Sequence, residues 1–523
     1  MKQIKLITAA LLLHAVAFAQ SLKVEICNNP VSFKSEDVYI KALSCDSFLF
    51  FDRTNLSEVI RNAGKDEKIS LSAIKGRTVL FDTKKCAVLY DQETGYYEVD
   101  SLFHPPTNNP GKNDITAWEG KFNGEFIKLI YNDNDNKRTF SIIKKQNEEW
   151  FRKELFDILK EKNGVLTPTF VAISPNAKNM VILSSQGIKA KGKAYLVNGK
   201  LEVVSVVDEI TMPQMSLSIY ETQDFPLMPR VSINNDAVVF YRLGSSIVNA
   251  KYIQQIVAVN MLTGSKKEFP VNSAFGDLQW ASFVNIGDNE LYAFAAVCSK
   301  KQNTQIVGFV FWTLHTYKDE LFLKEEYKEI PYGVLYYWQS KGRYKSIPWG
   351  QRTCLIPTND GGFMLINKIV DRFNLGYNEP INKDIIVLHF TRDRNCDWGK
   401  IIFRDIRSLM VNKQLSNENP EYLQVFQLDS SVLFVYHSES SPRIPGPRDK
   451  RKLKPGVPYT WITQITHDGK VKHYEVLNQS GNQIKIKTSS QPQKKGESVH
   501  TLRVVVDKQG NYDLGVVEII TRE

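Results

Sequence analysis

The sequence predicts an all-β chain, a β-propeller of about seven four-stranded blades, with one short amphipathic helix and a small N-terminal lobe or closure strands. Three observations carry that expectation. Four short β-runs joined by Asn/Asp/Gly turns fill Thr353 to Phe403, the make-up of one blade. Turns of the same kind recur, beginning at 174, 234, 285, 359, 429 and 507, each ahead of an apolar run. Their spacing is irregular but within what a blade with loop insertions occupies. Runs such as Val238-Val239-Phe240 are apolar at consecutive positions. That suits strands packed on both faces, whereas a two-sheet sandwich alternates apolar and polar.

Met1 to Ala19 reads as a secretory signal. Lys2 and Lys5 make a basic start, Leu6 to Val16 a short apolar stretch, and Ala17-Phe18-Ala19 a small-x-small cleavage site. The apolar stretch is too short to span a membrane, and no later run approaches spanning length. Cleavage makes Gln20 the new N-terminus and leaves no lipid-accepting cysteine there. The expected location is therefore exported, periplasmic or extracellular. Losing residues 1–19 removes two lysines and no acid, lowering the formal charge from +10 to +8. Outside the cytoplasm such a balance serves solubility or attraction to anionic surface polymers, so no nucleic-acid partner is expected. Six cysteines are too sparse for a disulfide scaffold and no Cys-x-x-Cys occurs. Cys27, Cys45 and Cys86 are near enough in sequence for one local bridge, with buried free thiols the alternative.

Residues 20–113 form an N-terminal β-rich segment, closing or flanking the ring, with unevenly spaced runs and a helix over Leu56 to Asn62. It ends in the breaker cluster Pro105, Pro106, Asn108, Asn109, Pro110 and Gly111. Residues 114–523 are the propeller proper. Phe126 to Tyr131 and Thr139 to Lys144 flank a polar turn and predict a hairpin. Phe151, Leu155, Ile158 and Leu159 fall at i, i+4, i+7 and i+8, the stripe of a surface helix, with Asn163-Gly164 as its stop. Counting Gly124 to Phe156 as a degenerate first blade brings the total to about seven. The last unit, Val499 to Ile520, has too few strands, so N-terminal sequence is expected to complete it and remove an exposed edge.

The best blade resembles a repeat of secreted bacterial β-propeller proteins: Asp360-Gly361-Gly362-Phe363, then Lys383-Asp384-Ile385-Ile386-Val387-Leu388, then Asp393 to Trp398. Those repeats run Asp-Gly-Gly-aromatic, Asp-Ile before the third strand, and an Asp-x-x-Gly turn ahead of a Trp. Here Cys396 stands near the expected turn glycine. The resemblance implies fold and compartment; the group has no single activity to carry over.

Signatures of catalysis are missing: no Gly-x-Ser-x-Gly, no phosphate-cradling loop and no His-Glu-x-x-His. His389 reads as a structural histidine within a strand. Asp133 and Asp135, and again Asp393, Asn395 and Asp397, alternate like calcium loops. Lys144 and Arg404 occupy the place of the essential glutamate, so both read as turns. No metal or other cofactor is expected.

Two segments suggest recognition. Tyr332 to Arg352 interleaves Tyr336, Tyr337, Trp338, Tyr344 and Trp349 with Arg343 and other cations, suited to sugar rings, anionic glycans or a protein hot spot. Ser438 to Pro458 carries Arg448, Lys450, Arg451, Lys452 and Lys454 among prolines, an exposed insertion able to meet anions. The reading is a monomeric, non-catalytic binding or scaffold module for a protein or cell-envelope glycan partner. Its rival is a carbohydrate-binding or carbohydrate-active propeller, which as a hydrolase needs two carboxyls about 5–10 Å apart in one pocket.

Overall fold

A computed structural model describes residues 20–26, 31–32, 38–42, 47–52, 78–82, 87–91, 96–97, 114–133, 137–146, 149–159, 169–185, 191–213, 231–248, 251–271, 277–285, 290–299, 302–317, 320–334, 352–368, 384–404, 423–439, 442, 459–508 and 511–520. Almost all are strand. Five consecutive four-stranded antiparallel sheets take the chain from 114 to 402: sheet I (114–159), II (169–210), III (231–271), IV (277–329) and V (352–402). Each is a simple meander. Sheet VI (423–477) continues the series, and its fourth strand, Val471–Leu477, pairs in parallel with Gln20–Ile26. The same N-terminal strand pairs antiparallel with Asn511–Ile520. It thus becomes the outer strand of sheet VII, whose other strands are Ile486–Ser489, Val499–Lys508 and Asn511–Ile520, with the short Gln493–Lys495 paired beside Val499–Lys508. Val31–Ser32 extends the pairing along 511–512. A five-stranded antiparallel sheet, N (38–97), precedes sheet I.

Consecutive apolar residues divide between two neighbours. In sheet II, Met180 and Ile182 pack with sheet I, whereas Val181 and Leu183 pack with sheet III. In sheet III, Val239 and Tyr241 face sheet II while Val238 and Phe240 face sheet IV. Sheet V divides likewise: Phe363 and Leu365 join the core shared with IV, and Met364 and Ile366 the core shared with VI. Leu433 and Val435 complete the series by packing with sheet VII. Because successive strand residues point to opposite faces, an unbroken apolar run is what a sheet buried on both flanks requires. Four-stranded meanders stacked flank to flank, with first strands of neighbours in contact, are β-propeller architecture.

The expected helix at 151–159 is not there. Glu149–Leu159 is the outer strand of sheet I, paired with Lys137–Gln146. The register shifts where Phe140 faces Phe156 and Ser141 faces Glu154, leaving Leu155 as the extra residue of a bulge. A bulge advances the alternation by one position, so a period of two imitates a helical stripe. Phe151 and Leu159, the ends of that stripe, are 45% and 65% exposed. The hairpin expected from Phe126 to Lys144 is present, with Asp133 opposite Arg138. The expected helix at Leu56 to Asn62 lies outside the described residues. So does the expected bridge among Cys27, Cys45 and Cys86. Cys396 is a buried free thiol.

Candidate functional site

In each meander the first-to-second and third-to-fourth connections share one end of the sheet; the second-to-third connection and the exit to the next sheet share the other. At the first end the turns are short and bonded to each other. Asn123 N donates to Ala177 O, Asn176 N to Asn235 Oδ1, and Asn359 Nδ2 to Asp429 O, joining sheets I to II, II to III and V to VI. The opposite end receives the long connections: 211–230, 330–351, 369–384, 403–422 and 439–458. Both segments with recognition chemistry are among these. Tyr336, Tyr337, Trp338, Arg343, Tyr344 and Trp349 lie outside the described residues, as do Arg448, Lys450, Arg451, Lys452 and Lys454. The strands that bracket them, 320–329 and 352–357, then 431–438 and 459–466, direct both to that same end. At the root of the first, Ile330 and Val334 anchor in the core between sheets IV and V while Tyr332 is 76% exposed.

A polar constellation stands at the short-turn end, between sheets V and VI. His389 is 1% exposed, with Nδ1 2.6 Å from Asp397 Oδ1 and Nε2 3.2 Å from Thr358 Oγ1. Trp398 stacks on its ring at 5.1 Å, with 6° between planes. The Thr358 hydroxyl donates to Asp360 Oδ1 at 2.5 Å, and the same oxygen accepts from Gly362 N. Partial burial works to raise the Asp360 carboxyl, but the bonds from Thr358 and Gly362 and the nearby His389 outweigh it and hold it below the usual range. From sheet VI, His467 Nδ1 accepts from Asn359 N and His467 O accepts from Trp398 Nε1. Burial, then the neighbouring His389, push the His467 pKa down. Gly469, at φ +83°, lies under the indole, where a Cβ would stand 3.0 Å from Trp398 Cδ2.

Thr358, His389 and Asp397 therefore have the spacing of nucleophile, base and orienting acid. Their surroundings oppose that use. The Thr358 hydroxyl is committed to Asp360, the imidazole is sealed under Trp398, and Thr358 is itself buried. What the arrangement does is tie two hairpins of sheet V to each other and to sheet VI. Its longest-range bond, Asn359 to His467, joins residues 108 positions apart. The turn between the third and fourth strands of sheet V makes a second such tie, toward sheet IV. Arg394 takes the left-handed position, φ +64°, and its guanidinium crosses to sheet IV, bonding Thr313 Oγ1 at 2.7 Å and Glu326 at 3.3 Å over the Tyr292 ring. Beside the same face, Leu428 to Ser431, Glu497, Ser498 and His500 line a shallow polar depression of about 220 Å³.

No known family profile matches the sequence, and no curated protein does. Among solved structures, the chain is similar to the β-propeller domain of the Trilobed protease from Pyrococcus furiosus, at 10% identity over 79% of this chain and 96% of that one, with a TM-score of 0.32. It is also similar to the WD40 domain of SCAP from fission yeast, at 10% identity over 79% and 95%, TM-score 0.27. A third is an uncharacterised Listeria monocytogenes protein, at 10% identity over 76% and 94%, TM-score 0.34.

Proposed function

We propose that this chain is an exported β-propeller that binds a protein or cell-envelope glycan partner at the end carrying its long connections. It acts as a scaffold rather than a catalyst. The observation that carries the reading is the inequality of the two ends. One is spent on short turns bonded sheet to sheet; the other receives every long connection, including the aromatic 332–352 and basic 438–458 segments. Binding residues concentrate on loops held by a rigid framework. Contact between the first strand of sheet N (38–42) and that of sheet VII (486–489) supports a ring of eight units rather than about seven. The Gln20–Ile26 strand clasps the ring between sheets VI and VII.

Calorimetric titration with an anionic and a neutral bacterial polysaccharide tests the glycan form of the reading. Trp338→Ala with Tyr337→Ala should weaken binding to both, and Arg448→Ser with Arg451→Ser should remove the salt dependence of the anionic one. Shortening of either polymer during titration would instead make the chain a carbohydrate-active enzyme. Wild-type affinity in both double variants would move the site elsewhere.

A further inference from the structure

Asparagines in the first-to-second turns tie successive sheets by the same reach. In sheet I, Asn123 N donates to Ala177 O and Asn123 Nδ2 to Gly199 O, both of sheet II. In sheet II, Asn176 N donates to Asn235 Oδ1 of sheet III. In sheet V, Asn359 Nδ2 donates to Asp429 O of sheet VI, and Asn359 N to His467 Nδ1 at 3.1 Å. The acceptors at the first two joints are carbonyl and amide oxygens, which keep their lone pairs at any ordinary pH. At the third, one acceptor is an imidazole nitrogen, which gives up its lone pair on protonation.

To accept from Asn359 N, the neutral His467 ring must carry its one proton on Nε2. That nitrogen is buried and has no hydrogen-bond partner among the described residues. An imidazolium in the same place would aim an Nδ1–H at the Asn359 N–H, donor against donor, and Nε2–H would still lack an acceptor. The groups facing the ring do not reverse this. Burial first, then His389 of sheet V, disfavour the cation, while Asp360 of sheet V and Asp468 of the ring's own turn favour it. Asp397 holds His389, and Lys470 pairs with Asp468. The turn that carries the ring stays with sheet VI, because His467 N donates to Ser430 O. A ring that leaves Asn359 therefore frees the turn of sheet V without unravelling its own.

From this geometry we infer that His467 is an acid-operated catch between sheets V and VI: the neutral ring holds the Asn359 turn, and the protonated ring lets it go. A released ring takes up a proton near its ordinary 6.5, whereas the seated ring resists it. The catch is therefore closed above that pH and opens as pH falls below it. The joints at Asn123 and Asn176, with oxygen acceptors, stay closed over the same range.

Hydrogen exchange of the full chain at pH 7 and pH 5, corrected for the intrinsic pH dependence of exchange, tests this. Opening at Asn359 should increase roughly ten- to twentyfold between the two, while the Asn123 and Asn176 turns change little. His467→Gln supplies an oxygen acceptor that does not titrate, so Asn359 should be equally protected at both pH values. Nitrogen-15 spectra of the labelled histidines at pH 7 should show His467 protonated on Nε2 alone. Unchanged protection of Asn359 in the natural protein overturns the inference. So does an equal loss at the Asn123 and Asn176 turns, which would be general acid unfolding. A His467→Gln protein that keeps the full acid response, or a ring protonated on Nδ1 at pH 7, overturns it as well.

Discussion

Asp397 Oδ1 lies 2.6 Å from His389 Nδ1, joining a carboxylate that is 44% exposed to an imidazole that is 1% exposed. This contact orients the ring under Trp398 and so holds the turn of sheet V onto the turn of sheet VI. His389→Ala would remove the ring's bonds to Asp397 and Thr358 and open a void beneath the indole, so a loss of about 2–4 kcal/mol is expected. Asp397→Asn keeps an oxygen in place and should cost roughly half as much. Urea unfolding measures both; a His389→Ala midpoint equal to wild type would show that the latch contributes nothing to stability.

The N-terminal strand should matter to the whole ring. Val24→Asp places an unpaired carboxylate in the core shared by sheets VI and VII and should destabilise by about 3 kcal/mol or more. Removing residues 20–100 should abolish cooperative melting, because sheet N and the clasp go together. A soluble truncated chain with a single sharp calorimetric transition would contradict this.

Stability should fall in mild acid. Burial, foremost, pushes His437 well below its ordinary 6.5, and His467 and His500 are lowered for the same first reason. The unfolded chain therefore binds protons below about pH 6.5 that the folded chain refuses, so the stabilisation is complete above that pH and is lost as pH falls. The slope is at most about 1.4 kcal/mol per pH unit for each histidine. His437 Nε2 bonds Ile486 O at 2.7 Å, so His437→Gln keeps a donor near that oxygen while removing the titration. Its urea midpoint should vary less between pH 7 and pH 5 than wild type; an unchanged slope would exclude His437 as a contributor.

Burial pushes the Cys396 thiol up to about 12, with the adjacent Asp397 adding to the effect. Thiolate is the reactive form, so alkylation at pH 8 should be limited by opening of sheet V and accelerate sharply once urea unfolds the chain. Mass-spectrometric labelling of the Cys396 peptide follows this directly. Labelling as fast as a free thiol in native buffer would place the side chain at the surface.

Most strand and turn positions of sheets II to VI, and burial on two flanks, are legible in the sequence, because they are set locally. Side-chain alternation and turn chemistry act over a few residues, and Val238-Val239-Phe240 or Asn359-Asp360-Gly361-Gly362 declare themselves without any partner. The Glu149–Leu159 strand imitates a helix in sequence because its bulge exists only in pairing with Ser141 and Phe140 across the sheet. Nor does any local signal show that Arg394 reaches sheet IV, or that Asn359 meets His467. Those contacts arise only once neighbouring meanders are pressed together. Local chain chemistry chose the blades; the stacking of their flanks decided which polar groups meet, and with them which end of the molecule is closed and which carries the long connections.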